Sequence, residues 1–116
     1  MNFSNKTAVV TGAAVGIGRA TAIKLAQNDA NVVLVDINIE KLENVKKEIE
    51  KYTKNVIALK CDVSNESEVH KTVKKAESCF NNIDILINNA AVWRCWDSFV
   101  NISTDEWRKY IDINIM

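Results

Sequence analysis

The sequence predicts an α/β protein in which a parallel sheet carries helices on both faces. Short β-branched runs, typical of strands, alternate along the chain with segments of helical character. Crossovers between consecutive parallel strands are right-handed and place the intervening helices on the two faces of the sheet. The chain has 116 residues, 47% hydrophobic and 26% charged, a composition that fits one small globular domain and argues against disorder.

The first half of the chain alternates strand, helix, strand, helix. Strands are predicted over residues 6–11 and 31–36, the first ending at Gly12 and the second in a carboxylate. An alanine-rich helix is predicted over 16–28. In the second helix the apolar residues recur at steps of three and four, with lysine and glutamate between them, as on an amphipathic surface helix: Ile39, Leu42, Val45, Ile49 and Tyr52.

The second half repeats the alternation. Strands are predicted over 55–61 and 83–88. Ser64 is placed to cap the helix between them, with Glu66 favoured in its first turn by the helix dipole. The expected buried stripe of that helix is Val69, Val73, Ala76 and Phe80. After an irregular stretch, Ser103 and Glu106 form a capping box that opens a last helix.

Charge and cysteine content exclude several classes of function. Fifteen basic residues balance fifteen acidic ones, which gives no electrostatic reason to bind nucleic acid or an anionic membrane. No apolar run approaches the roughly 20 residues that cross a bilayer, and the first residues lack a secretion signal. Cys61, Cys79 and Cys95 are odd in number and widely spaced, so neither a disulfide framework nor a metal site is expected. We expect a cytoplasmic protein with reduced thiols.

All three glycines of the chain lie between the first predicted strand and the first predicted helix. Gly12, Gly16 and Gly18 fall within seven residues of one another. Glycines at such a junction permit a tight turn and let the backbone approach a pyrophosphate at the positive end of a helix. Glycine turns also occur where a helix simply packs closely on a strand. An acidic residue at the end of the next strand favours phosphate binding.

That acidic residue is Asp36, which lies 18 residues beyond Gly18. A carboxylate in this position can accept hydrogen bonds from both adenosine-ribose hydroxyls and would repel a 2′-phosphate. Val15 and Ile37 are apolar and offer that phosphate no cation. The sequence therefore predicts NAD rather than NADP as the cofactor. The alternative is that Asp36 caps the next helix.

Polar residues also follow the third and fourth strands. Asp62 and Val63 lie at the carboxyl edge of the sheet, where they could flank an adenine. The alternative, which the spacing supports nearly as well, is an ordinary aspartate at the entry to a helix. Asn88 and Asn89 precede two alanines, which leaves room for a ribose and supplies hydrogen-bonding groups. By itself, the stretch Asn88-Asn89-Ala90-Ala91 would indicate a turn.

Taken together, these motifs resemble the short-chain dehydrogenase/reductase family, and the resemblance runs from Lys6 to the last residue. It rests on T-G-x-x-x-G-I-G at 11–18, Asp36, Asp62 with Val63, Asn88-Asn89-Ala90, and Asn114. The resemblance implies a Rossmann fold, here with strand order 3-2-1-4, that binds NAD(P). It also implies hydride transfer to or from an alcohol or ketone.

The family roles carry over to matching positions. The pyrophosphate turn would be formed by Gly12, Gly16, Ile17 and Gly18, with Gly18 mainly packing helix on sheet. Asp36 would bind the adenosine ribose, and Asp62 and Val63 would border adenine. Asn88 would brace the sheet, while Asn89 and Ala90 would run beside the nicotinamide ribose. Asn114 would be the catalytic asparagine that holds a water in the proton relay.

Two departures from the family pattern bear on activity. Ala91 stands where the family usually has glycine. The catalytic serine and the Tyr-x-x-x-Lys pair, which moves the hydroxyl proton, are absent, since Tyr52 is followed four residues later by Val56 and Tyr110 by Asn114. We therefore expect residues 1–116 to be the NAD-binding N-terminal part of one Rossmann domain, without turnover on its own. The parent enzyme would act on a small alcohol or ketone as a homodimer or homotetramer.

Two alternatives remain. The chain could be a non-catalytic dinucleotide-binding or interaction module that ends naturally at Met116. A methyltransferase Rossmann domain would also use the glycines and the acidic second strand, but it does not explain Asn88-Asn89-Ala90 and Asn114. In the 3-2-1-4 order the apolar fourth strand is an edge, so we expect the isolated chain to be poorly soluble.

Overall fold

The computed structural model describes residues 2–89, which form a four-stranded parallel sheet with three helices. The sheet order is β3-β2-β1-β4, so the predicted α/β class and strand order are confirmed. The strands are β1 (Thr7–Thr11), β2 (Asn31–Asp36), β3 (Val56–Lys60) and β4 (Ile85–Asn88). The helices are α1 (Gly16–Gln27), α2 (Ile39–Ile49) and α3 (Glu66–Phe80). The sequence-based expectations for Ala90, Ala91, the last helix and Asn114 lie outside the described residues.

Strand register gathers the carboxyl ends of the strands at one edge of the sheet. Thr11 pairs with Val35 on one side and with Asn88 on the other, and Asp36 pairs with Lys60 on β3. The strand order reverses at β1, because β2 and β3 follow on one side of it and the chain then returns to place β4 on its other side. Open α/β sheets bind ligands at this edge, near such a reversal.

Each face of the sheet has its own hydrophobic core, because successive strand residues point to opposite faces. Val10 and Leu34 pack with α1 and α2, for example against Leu25 and Leu42. On the other face, strand residues pack with α3 in a cluster that includes Val9, Val33, Val35, Val69, Val73 and Ile83. The predicted helices on both faces are thus confirmed, with α1 and α2 packed on one face and α3 on the other.

The prediction that Ser64 caps α3 is wrong. The N-cap is Asn65, whose side-chain oxygen accepts a hydrogen bond from the Glu68 amide at 3.1 Å. Ser64 instead donates its amide and its hydroxyl to Oδ1 of Asp62. The turn that Asp62 forms with Ser64 delays the start of the helix by one residue, which brings Asn65 into the cap position.

The remaining differences concern element ends. Tyr52 lies beyond the end of α2, and its amide donates to the Ile49 carbonyl at 2.8 Å. β4 begins at Ile85 rather than 83, since Asp84 already bonds Thr7 through both its amide and its carboxylate. Within residues 2–89, no helix is long and apolar enough to cross a bilayer.

Candidate functional site

The glycine loop joins β1 to α1 through two residues with positive φ. Gly12 has φ +62° and Gly16 has φ +60°, a conformation that costs glycine little and other residues more. The N-cap of α1 is Val15, which provides no side-chain hydrogen bond to the helix, and the first turn contains no acidic residue. The amides and dipole of this helix end are therefore directed at the surface without a competing side chain, as an anion site requires.

Gly16 and Gly18 are required for different reasons. A Cβ on Gly16 would meet no heavy atom within 4 Å, so the surface in front of this residue is open. A Cβ on Gly18 would lie 2.1 Å from the Gly12 carbonyl oxygen and 2.8 Å from Nδ2 of Asn89. Gly18 thus lets α1 approach both the glycine turn and the end of β4, while Gly16 leaves room for a ligand to approach the backbone.

Asp36 connects the end of β2 to the glycine loop. Its Oδ2 accepts a hydrogen bond from the Ala14 amide at 3.1 Å, and its Oδ1 accepts one from the Asn38 amide at 3.0 Å. The residue that caps α2 is Asn38, whose oxygen accepts from the Lys41 amide at 3.1 Å, and not Asp36. A carboxylate has about four acceptor positions, so the half-buried Asp36 retains acceptors for two hydroxyl groups.

Three exposed apolar side chains surround this loop. Val15 is 54% exposed, Ile17 75% and Ile37 61%, and in residues 2–89 the other large hydrophobic side chain so exposed is Tyr52. Single exposed apolar residues are common, but this group flanks an anion-binding turn and a carboxylate. An apolar surface next to a few fixed polar groups is the usual composition of a small-molecule site.

The residues after β3 present both polar and buried groups. Hydrogen bonds from the Ser64 hydroxyl and amide lower the pKa of Asp62, which favours its ionised form. Val63 is buried with Val35 and Val69, so its side chain belongs to the core and only its backbone remains for a ligand at this edge. Cys61 is buried as well, and burial raises the pKa of its thiol.

A hydrogen-bonded group joins the ends of β1 and β4. The Thr11 hydroxyl donates to Oδ1 of Asn88 at 3.1 Å and accepts from the Asn89 amide at 2.9 Å. Nδ2 of Asn88 is buried and has no partner within the part of the chain that the structure describes. Thr11 fixes where the chain leaves β4 and therefore where Asn89 lies relative to the glycine loop.

The structure brings most of the predicted site residues to one edge of the sheet. The glycine loop and the end of β2 are joined by the hydrogen bond between Asp36 and Ala14, and the Asn89 side chain lies close to Gly18. This group contains the predicted residues Gly12, Val15, Gly16, Ile17, Gly18, Asp36 and Ile37. Ala90 and Asn114 lie outside the described residues. Sequence reasoning missed Thr11 as a positioning residue and Lys60 as a neighbour of Asp36. The T-G pair at the end of β1 was a sequence signal for Thr11. The position of Lys60 beside Asp36 is shown only by the strand register.

These features fit a dinucleotide. The open backbone at Gly16 and the uncapped α1 suit a pyrophosphate, the free acceptors of Asp36 suit ribose hydroxyls, and the three exposed apolar side chains suit a flat aromatic base.

Comparison with known proteins assigns the family. A family model described as short chain dehydrogenase matches residues 6–116. Cyclohexanol dehydrogenase of Acinetobacter sp. (strain SE19) is 35% identical over 113 residues, which cover 97% of this chain and 45% of that protein. An uncharacterized oxidoreductase of Staphylococcus aureus (strain USA300) is 39% identical over 113 residues, which cover 48% of that protein. The chain therefore spans about half the length of the curated relatives it matches.

Solved structures show the same fold. A short-chain dehydrogenase/reductase from Burkholderia phymatum in complex with NAD superposes with a TM-score of 0.84 at 26% identity, over 96% of this chain and 46% of that one. The match of sequence, strand order and glycine loop establishes that the chain belongs to the short-chain dehydrogenase family.

Proposed function

We propose that this chain is the cofactor-binding part of an oxidoreductase that transfers a hydride between NAD and an alcohol or ketone. The observation that carries the proposal is the Asp36 carboxylate, which two backbone amides hold beside an open glycine loop. The relatives named as dehydrogenase and oxidoreductase support the reaction class, and the cyclohexanol dehydrogenase supports an alcohol or ketone as substrate.

The adenosine half of the cofactor would be bound by the described residues. The pyrophosphate would lie at the N-terminus of α1, against the backbone of Gly16 and Ile17. Asp36 would accept hydrogen bonds from the adenosine ribose. The adenine would cover part of the apolar surface of Val15 and Ile37 and would border Asp62 and the backbone of Val63.

The nicotinamide half would be bound beside β4. Asn89 and Ala90 would run along its ribose, Asn88 would brace the sheet beneath, and Asn114 would hold a water of the proton relay. When bound, NAD supplies the hydride donor or acceptor. The family's Tyr-x-x-x-Lys pair, which would move the hydroxyl proton, is absent from these 116 residues. We therefore expect the chain to bind NAD without turnover.

We propose NAD as the preferred cofactor because of the charge of Asp36. Solved relatives include complexes with NAD and, in a metagenomic enzyme that superposes with a TM-score of 0.84, with NADP. Two like unit charges about 4 Å apart repel by about 4 kcal/mol at an effective dielectric constant of about 20. Partial exposure of Asp36 reduces this repulsion, so we expect NAD to bind about tenfold more tightly than NADP.

A cofactor titration tests the proposal. NADH binding to the purified chain is followed by the fluorescence of the reduced nicotinamide, for the wild type and for Asp36→Ala. Loss of a charge-assisted hydrogen-bond acceptor is worth about 1.5–3 kcal/mol, so Asp36→Ala should weaken NADH binding by at least about tenfold. A chain that oxidises a panel of alcohols with NAD would contradict the expected lack of turnover.

The matched control is Asp84→Ala. The Asp84 carboxylate also accepts a backbone amide, that of Thr7 at 2.9 Å, but at the amino end of β1, away from the glycine loop. Its removal should leave the affinity for NADH unchanged. Equal affinities for all three proteins, or an equal loss in both variants, would show that Asp36 does not bind the cofactor.

We also propose that the whole protein acts in the cytoplasm as a homodimer or homotetramer. The balanced charge of the chain and its cysteine pattern support an intracellular enzyme without a nucleic-acid or membrane partner. Size-exclusion chromatography with light scattering on the whole protein tests the assembly, and a monodisperse monomer would contradict it.

A further inference from the structure

Lys60 lies beside Asp36 at the carboxyl edge of the sheet. The two residues are register partners on the neighbouring strands β3 and β2. The Cys61 amide donates to the Asp36 carbonyl at 3.0 Å, so the ladder continues past this pair. Adjacent strands are about 4.8 Å apart. The backbones of the two residues are therefore direct neighbours.

The side chains of Asp36 and Lys60 leave the sheet on the same face. Leu34 and Ala58, which precede them by two residues, both pack in the core cluster beneath α1 and α2. Since strand residues two apart point to the same side, Asp36 and Lys60 share that side as well. The exposed ammonium of Lys60 is carried on a flexible four-carbon stem, and it can reach a group bound at the free acceptors of Asp36.

One nearby cation, Arg19, is already engaged in an ion pair. Arg19, in the first turns of α1, makes two hydrogen bonds and an ion pair with the Glu48 carboxylate on α2. Val15 and Ile37 carry no charge. Lys60, the register partner of Asp36, is therefore a cation in position to compensate a second anion next to this carboxylate.

We propose that Lys60 is a specificity-determining residue that lets the site accept a 2′-phosphate in spite of Asp36. The inference rests on the proposed NAD-binding function. The positive charge of Lys60 offsets the negative charge of Asp36, and its ammonium contacts the phosphate of NADP. NADP is then bound more weakly than NAD, but it is not excluded. The ribose hydroxyls of NAD need no such cation, so NAD binding is independent of Lys60.

The test compares NADH and NADPH affinities of the wild type, Lys60→Ala and Lys60→Glu. Both substitutions are at an exposed strand end, and far-UV circular dichroism checks the fold of each variant. Lys60→Glu should weaken NADPH binding by about tenfold or more, Lys60→Ala by less, and NADH binding should stay within about twofold. The matched control is Lys54→Glu, an exposed lysine before the opposite, amino end of β3, which should change neither affinity.

Each outcome separates the two proposals. A wild type that binds NADH but shows no NADPH binding, or whose NADPH affinity is unchanged in Lys60→Glu, overturns the role of Lys60 and leaves the proposed function intact. An equal loss of both cofactors in Lys60→Glu also overturns it. A wild type that binds neither cofactor refutes the proposed function itself, and the role of Lys60 with it.

Discussion

Substitution of Gly18 by alanine is the sharpest test of how the glycine loop is built. The added Cβ would lie 2.1 Å from the carbonyl oxygen of Gly12 and 2.8 Å from Nδ2 of Asn89. The first of these atoms belongs to the backbone of a turn, so no side-chain rotation can relieve the contact. Either α1 must move away from β1, or the turn at Gly12 must open.

The magnitude follows from two opposing contributions. Adding a methyl group to a close-packed position costs about 1–3 kcal/mol, and a contact with fixed backbone belongs at the upper end. Alanine in place of glycine inside a helix returns about 1 kcal/mol. We therefore expect Gly18→Ala to lower the free energy of unfolding by about 2 kcal/mol. With a urea m-value of about 2 kcal/mol per molar, the unfolding midpoint falls by about 1 M.

Urea unfolding followed by far-UV circular dichroism measures this change, and Ala20→Gly in the same helix is the control. Ala20 is exposed, so its substitution removes no packing and should cost about 1 kcal/mol through helix propensity alone. We therefore expect both variants to lower the free energy of unfolding, Gly18→Ala through steric conflict and Ala20→Gly through helix propensity. If Gly18→Ala were as stable as the wild type or more stable, helix propensity would outweigh the contact and the packing argument would be refuted.

Two further predictions concern titratable groups. Because its folded pKa lies below the ordinary 3.8, Asp62 contributes stability that is present above that pH and is lost as the pH falls through the folded value. Ser64→Ala should lower the urea midpoint at neutral pH but not at a pH well below 3.8, and equal effects at both would contradict this. Cys79 is exposed whereas Cys61 is buried with a raised thiol pKa, so iodoacetamide should label Cys79 in the native protein. Cys61 should react only in urea, and mass spectrometry of the labelled peptides would show native labelling of Cys61 if this is wrong.

The fold could be predicted closely because its signals are local. The bounds of β2 agree with the sequence prediction, since an uninterrupted apolar run between polar residues defines a buried strand. The periodicity of α2 likewise placed Leu42, Val45 and Ile49 in the core. The cap of α3 could not be predicted in the same way, because Ser64 and its neighbour Asn65 are both good caps. The choice depends on the turn that Asp62 forms with Ser64.

The candidate site was only partly predictable, because its contacts join residues that are distant in sequence. Asp36 could be recognised as an acceptor, but not its bond to Ala14, which depends on the register of β1 and β2. The same holds for Lys60, 24 residues after its partner on β2. Val63 was predicted to border a ligand, because an apolar residue at a sheet edge can face either a ligand or the core. In the structure its side chain is buried in the core.

Asp36 accepts a hydrogen bond from the glycine loop and is also the residue proposed to bind the adenosine ribose. Its carboxylate orders the glycine loop through Ala14 before any ligand arrives, so binding need not supply the entropy of ordering that loop. Asp36→Ala, which would remove the negative charge to favour NADP, would also remove this contact, and the loop proposed to bind the pyrophosphate would lose a support. Changes at Lys60 would alter the charge next to the proposed ribose site without removing the contact between Asp36 and Ala14. If both proposals hold, we expect cofactor preference to be shifted more readily by substituting Lys60 on β3 than by replacing Asp36.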